Sequence, residues 1–278
     1  MTPGQPVLEA VGIAKEYGSV RALSGVDIRV FPGRVTCLLG DNGAGKSTLI
    51  KILAGVVRPD VGTLQVDGEA VTFRSPAEAL DRGVATVYQD LALVPIMSVY
   101  RNFFIGREPC KGWGPLRRLD VRFAKRVAHE QLRRVGVDLD DVTRPVESLS
   151  GGQRQAVAIA KAVYFGARVL ILDEPTSALG VREAGMVLRY IGEARKQGIG
   201  IVLVTHNTHH AHAVGDHFVV LKRGAVLGSF NAGEVTVEEL STLMAGGAEE
   251  LERLAERAST PDGPHLLHEH DVLGGHGA

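Results

Sequence analysis

Val35-Thr36-Cys37-Leu38-Leu39 runs directly into Gly40-Asp41-Asn42-Gly43-Ala44-Gly45-Lys46-Ser47-Thr48. The first five residues are a continuous run suited to a strand buried on both faces, and Lys46 to Ala54 reads as a helix. Strand, glycine loop and helix in that order form the first half of a mononucleotide-binding unit. The loop has two glycines five positions apart, followed by Lys and Ser, which is the phosphate-loop pattern. Its glycines let backbone N–H groups turn inward around the α- and β-phosphates, while the helix offers its positive N-terminus. Lys46 reaches the β- and γ-phosphates and the Ser47 hydroxyl is placed to ligate Mg²⁺. A flexible glycine turn before an ordinary helix would need no buried strand ahead of it, and here one precedes it. The motif implies binding of a nucleoside triphosphate without saying which enzyme uses it.

A second buried strand, Val169-Leu170-Ile171-Leu172, ends in Asp173-Glu174. Doubly wound folds bind ligands at the C-terminal ends of their strands, so both carboxylates are aimed at the phosphate site. Asp173 is expected to hold Mg²⁺, and Glu174 to orient or deprotonate the attacking water. Taken alone, the pair could equally be an N-cap and a first-turn acid. Gly200 to Val204 supplies a further buried strand, separated from the last by a helix over Arg182 to Gln197 that Gly198 can cap. The alternation predicts an α/β fold with a parallel, doubly wound sheet.

Around this core, Val26 to Phe31 alternates like an exposed strand, and Asp67-Gly68 joins two more strand-like runs in a hairpin. These predict an antiparallel β subdomain beside the nucleotide site. Ser75-Pro76-Ala77-Glu78 carries a helix start with a capping box, and Val84 to Tyr88 reads as a strand. From 90 to 165 the chain changes character. A loop holding Gly106, Pro109, Gly112, Gly114 and Pro115 precedes a long amphipathic stretch from Val121 to Val135, which reads as an inserted helical subdomain. Phe218 to Leu221 and Ala225 to Leu227, split by Arg223-Gly224, predict a closing hairpin, and Thr236-Val237-Glu238-Glu239 opens a last helix. The division expected is therefore a domain over 1–246, with its core in 1–89 and 166–246 and the helical subdomain in 90–165. A mobile tail is expected over 247–278.

Leu149-Ser150-Gly151-Gly152-Gln153 stands before a helix-like run from Arg154 to Tyr164. Ser150 and the two glycines expose a second set of N–H donors at a helix start, another anion cradle. One nucleotide does not need two such cradles from one chain. The pattern resembles the signature of ATP-binding cassette (ABC) proteins, in which this loop closes over the γ-phosphate held by the opposite subunit. The resemblance spans about the first 240 residues. It implies a P-loop NTPase core, ATP and Mg²⁺ as ligands, a head-to-tail dimer of two copies, and an adenine-stacking role for Tyr17. It also implies that Gln89 touches Mg²⁺ and the lytic water, and that His206 contacts the γ-phosphate and supports Glu174. A neutral imidazole, which donates one hydrogen bond and accepts another, suits that bridging place.

One position departs from the family pattern. Ser-Ala-Leu-Asp is common after the glutamate, whereas Ser177-Ala178-Leu179-Gly180 occurs here. That glycine, with Val87 to Pro95 and Asn102 to Glu108, is similar to the ATP-binding subunits of monosaccharide importers of the ribose, xylose and fructose type. The resemblance then implies permease and solute-binding-protein partners and a cytoplasmic position on the inner face of the membrane. The apolar run Leu91 to Val99 is expected to form part of the docking groove. Non-transport ABC ATPases are the alternative, but those acting on DNA insert long coiled coils and those acting in translation carry tandem cassettes. A regulatory module without hydrolysis would not need Lys46, Asp173, Glu174 and His206 together.

Composition agrees with a cytosolic globular chain. Of 278 residues, 45% are apolar and 23% charged, and the net charge of −1 leaves no basic excess to neutralise nucleic acid. No run approaches the eighteen apolar residues of a spanning helix, and the first residues do not form a secretion signal. Cys37 and Cys110 lie far apart and are expected to remain thiols. His209, His210 and His212, like His265, His268 and His270, lack a spaced carboxylate or Cys to complete a metal set.

Overall fold

A computed structural model describes residues 4–114 and 117–246. The tail expected over 247–278 lies outside the described residues. Six strands form the central sheet, in the order β12-β11-β3-β10-β9-β6. They are β3 (Val35–Leu39), β6 (Val84–Val87), β9 (Val169–Asp173), β10 (Gly200–Thr205), β11 (His217–Lys222) and β12 (Ala225–Asn231). Neighbours β11, β3, β10, β9 and β6 are parallel and only β12 is antiparallel.

Side-chain period explains why this sheet lies inside. Along β3, Val35, Cys37 and Leu39 enter one core and Leu38 the other. On β10, Ile201 and Leu203 oppose Val202 and Val204 in the same way. Strands buried on both faces read as continuous apolar runs, which is how they look in the sequence.

One core lies between the sheet, the helix α1 (Lys46–Leu53) and a four-stranded antiparallel sheet. That sheet has the order β2-β1-β4-β5, from β1 (Leu8–Tyr17), β2 (Val20–Val30), β4 (Val61–Val66) and β5 (Glu69–Val71). Asp67 (φ 54°) and Gly68 (φ 80°) make the β4–β5 turn, the left-handed pair that a two-residue hairpin favours. The other core holds α3 (Val99–Phe104), α4 (Val121–Arg134), α5 (Gly151–Tyr164) and α6 (Val181–Lys196), together with α7 (Thr208–Val214) and α8 (Val237–Ala245). Phe103, fully buried, packs its ring 5.5 Å from Tyr164 and 5.2 Å from Phe104, which fastens α3 to the end of α5. Truncating such a ring to alanine costs about 3–5 kcal/mol.

Three local expectations change. The glycine- and proline-rich stretch read as a plain loop contains a short hairpin, β7 (Cys110–Lys111) with β8 (Arg118–Leu119), closed by the Asp120 N–H donating to the Pro109 carbonyl at 2.7 Å. Strands of two residues carry no periodicity to read. On α2 (Pro76–Asp81), Ser75 accepts from the Glu78 N–H as expected, but the Glu78 carboxylate accepts from the Arg74 N–H and not from the N-cap itself. Val99, expected at the docking groove, is fully buried at the start of α3.

Candidate active site

Gly40 to Thr48 bridges β3 and α1, and three of its glycines have φ between 83° and 149°. Two of them are required by close packing. A Cβ at Gly40 would run into the Leu221 carbonyl oxygen, and one at Gly45 would sit 2.8 Å from both the Ala22 carbonyl oxygen and the Leu23 side chain. Gly43 has open space around it and only its backbone conformation selects glycine. The N–H groups of Gly43, Gly45 and Lys46 have no acceptor among the described residues. They face an open depression of about 430 Å³ lined by Asp41 to Gly43, Gly45 to Thr48, Val20 to Ala22 and Arg223. Orphan donors at a helix start, with two arginines in the rim, suit a polyphosphate. Lys46 is buried, and its ammonium donates to the carbonyls of Gly40 at 2.6 Å and Asp41 at 3.1 Å, which holds it across the loop.

Strands β9 and β10 are parallel neighbours, with Asp173 paired with Val204, so their C-terminal ends bring Asp173, Glu174, Thr205 and His206 together. Burial, with the adjacent Glu174 charge, pushes the Asp173 carboxyl above its ordinary range, while Lys46 and Lys51 pull the other way. Glu174 adopts φ 48°, a left-handed conformation that costs a non-glycine residue about 1–3 kcal/mol. It is held there from several sides. Its N–H donates to the Val204 carbonyl at 2.9 Å and its own carbonyl accepts from the Ser177 hydroxyl at 3.1 Å. One carboxylate oxygen lies 2.8 Å from His206 Nδ1, and the other accepts from the Thr205 hydroxyl at 3.3 Å. Gln89, exposed just beyond β6, donates to the Ser177 hydroxyl at 3.5 Å and so reaches the segment that follows Glu174.

Asp173, Ser47 and Gln89 offer the hard oxygen donors that Mg²⁺ prefers, and Asp173 stands near Lys46 as a shared phosphate–metal site would demand. Among the described residues no cluster of three or more His, Cys, Asp or Glu could hold a metal unaided. His210 uses Nδ1 on the Thr176 hydroxyl at 2.9 Å, and the His212 ring stacks on Phe218 with centroids 5.9 Å apart. Cys37 and Cys110 are free thiols, and burial raises the first.

Ser150 caps α5, accepting from the Gln153 N–H while the Gln153 side chain accepts from the Ser150 N–H. Ser150 to Gln153 are not among the walls of the depression at Gly40 to Thr48, so the start of α5 lies apart from the phosphate loop of its own chain. Tyr17 ends β1, 45% exposed and paired with Val20, with the Lys15 ammonium 5.6 Å from its ring centroid. It adjoins the depression without lining it.

Sequence reading missed several residues that the fold brings to the site. Thr205 ends β10, and nothing in its own spacing marks its contact with Glu174. Arg21 and Arg223 come from separate hairpins. Glu183 on α6 accepts from the Gly151 N–H at 3.1 Å. Both α5 glycines are also packing residues, because a Cβ at Gly151 would collide with the Leu179 side chain and one at Gly152 would lie 3.3 Å from the Glu183 carbonyl oxygen.

Comparison with known proteins places the chain in a family. A family model described as ABC transporter matches residues 23–177. The fructose import ATP-binding protein FrcA of Rhizobium meliloti is 41% identical, over 88% of this chain and 96% of that protein. The xylose/arabinose import ATP-binding protein XylG of Sulfolobus acidocaldarius is 42% identical, over 87% and 95%. The ribose import ATP-binding protein RbsA of Rhodopirellula baltica is also 42% identical, but 94% of this chain spans only 50% of it. Among solved structures, the ADP conformation of an ATP-binding cassette of an ABC transporter superposes with a TM-score of 0.74 at 25% identity, covering 89% of this chain and 98% of that one. A dimeric bacterial ABC transporter cassette gives 0.67 at 23% identity, a likeness of fold. From its phosphate loop, its paired carboxylates and these matches, the chain belongs to the ABC transporter family as one of its ATP-binding, ATP-hydrolysing cassettes.

Proposed function

We propose that this cassette hydrolyses Mg-ATP between two head-to-tail copies to energise the import of a monosaccharide through a membrane permease. The observation that carries the hydrolytic part is the Glu174 carboxylate held between His206 Nδ1 and the Thr205 hydroxyl, at the ends of strands beside the phosphate-loop helix. Glu174 takes the proton of the attacking water, worth typically 10²–10⁴ in rate. His206 keeps that carboxylate aimed and meets the γ-phosphate. Lys46 and the N–H groups of Gly43 and Gly45 neutralise the phosphate oxygens. Mg²⁺, held by Ser47, Gln89 and Asp173, would screen charge on the β- and γ-phosphates. Tyr17 stacks on adenine, and Asp41, Asn42, Ala44 and Thr48 complete the loop. Ser150, Gly151, Gly152 and Gln153 of one copy close over the γ-phosphate held by the other.

The sugar reading rests on the length and level of the match to the fructose and xylose/arabinose proteins. Permease contact is assigned to a groove of about 410 Å³ whose apolar wall includes Leu80, Val87, Leu91, Leu93, Ile105 and Phe165. The occupant is a short helix of the permease, since the groove opens beside Gln89 and would relay its movement to the lytic site. No helix among the described residues is long and apolar enough to cross a membrane. A solute-binding protein would complete the importer, and the cassette would sit on the cytoplasmic face. We read the helical segment of 90–165 as the lobe that carries this contact and the rest of 1–246 as the catalytic core. Reconstitution with a sugar permease, in vesicles loaded with Mg-ATP, should give uptake of labelled ribose, xylose or fructose that Glu174→Gln abolishes. ATP hydrolysis with no sugar accumulated would overturn the import reading.

A further inference from the structure

The start of α5 has four backbone donors that a helix cannot satisfy internally, of which the Ser150 N–H goes to the Gln153 side chain. The Gln153 N–H goes to the Ser150 hydroxyl and the Gly151 N–H goes to the Glu183 carboxylate at 3.1 Å. The Gly152 N–H has no acceptor among the described residues. Glu183 occupies the third position of α6, where an acidic side chain ordinarily folds back onto its own N-cap. Here the N-cap is Gly180, which makes no side-chain cap hydrogen bond, and the carboxylate turns instead to the neighbouring helix. Contact is close over the whole turn, because Leu179 and the Glu183 backbone sit where side chains at Gly151 and Gly152 would be. Leu179 lies five residues beyond Glu174, in the segment that Ser177 ties to Glu174 and Gln89.

We propose that Glu183 is a positioning residue for ATP hydrolysis: its carboxylate fixes the start of α5 against the segment following Glu174, leaving Ser150 and Gly152 aimed at the nucleotide of the other copy. This rests on the shared-site reading above. A negative charge at a helix N-terminus is favourable, and a carboxylate accepting a backbone N–H is among the stronger hydrogen bonds. The link joins the helix that serves one site to the strand end that serves the other, so both halves of the sandwich move as one.

The test compares Glu183→Ala and Glu183→Gln with the unsubstituted chain, purified whole. Three readouts are taken: affinity of a fluorescent ATP analogue, kcat for ATP, and thermal unfolding. Glu183→Ala should lower kcat about tenfold, as expected for loss of a hydrogen bond to a charged group. Analogue affinity should stay within twofold, because the phosphate loop is untouched. Glu183→Gln keeps an acceptor in the same place and should recover most of kcat. A purely structural role would lower the unfolding temperature and analogue affinity along with kcat, which would overturn the proposal. So would a kcat within twofold of the original, or a glutamine variant no better than alanine. Ser150→Arg run alongside separates the two readings. If it leaves kcat intact, the shared site itself fails; if it abolishes kcat while Glu183→Ala does nothing, only the role of Glu183 fails.

Discussion

His206 Nδ1 lies 2.8 Å from Glu174 Oε1, a contact between residues 32 apart in the chain that joins the ends of two adjacent parallel strands. Thr205 supports the other carboxylate oxygen, so the base is held in a conformation that a non-glycine residue rarely takes. Glu174→Gln should therefore retain ATP binding while hydrolysis falls about 10²–10⁴-fold. Thr205→Val should cost about tenfold in kcat with little change in affinity, since it removes one hydrogen bond to a charged acceptor. Steady-state hydrolysis and equilibrium nucleotide binding, measured on the same preparations, check both.

Asp173 trades stability for its role. Burial and the Glu174 charge raise its carboxyl above the ordinary carboxylate value. A raised native pKa means the native state binds the proton more tightly than the unfolded one, so this group's contribution falls as pH rises from the unfolded value through the native one. Asp173→Asn, which removes the charge, should thus unfold at a higher temperature than the original at pH 7 without nucleotide. The difference should shrink as pH falls below about 4, where the carboxyl is protonated in both states. Hydrolysis of Mg-ATP should be lost in the same variant. A lower unfolding temperature at pH 7 would contradict the assigned electrostatics.

Glycines of the phosphate loop differ in what they do, and alanine substitution separates them. Gly40→Ala should destabilise by about 2–4 kcal/mol, combining backbone strain with a collision against Leu221. Gly43→Ala meets nothing within 4 Å and should cost only about 1–2 kcal/mol for its left-handed backbone. Urea unfolding gives both numbers directly.

Much of the fold is legible in the sequence. Uninterrupted apolar runs at Val35 to Leu39, Val169 to Leu172 and Gly200 to Val204 announce a sheet covered on both faces, and the phosphate loop and the Asp173-Glu174 pair each follow one of these strands. Capping at Thr236 and Glu239 came out as a reciprocal pair, and the left-handed Arg223-Gly224 closes the final hairpin. What stayed hidden depends on residues distant in sequence. Thr205 matters because β10 lies beside β9, and Glu183 because α6 packs on α5; neither spacing is periodic. The glycines at 151 and 152 suggest an anion cradle in the sequence, whereas what the fold shows to require them is the packing of Leu179 and Glu183.

The most direct test of the central claim is the mass of the isolated chain in solution, by size-exclusion chromatography with light scattering. With Glu174→Gln, saturating Mg-ATP should shift the chain from one copy to two, whereas Mg-ADP should not. Adding Ser150→Arg should abolish that shift while each copy still binds ATP at Lys46. A two-copy particle that persists with Ser150→Arg, or a chain that stays single at saturating Mg-ATP both alone and with its permease, would contradict a site shared across the dimer.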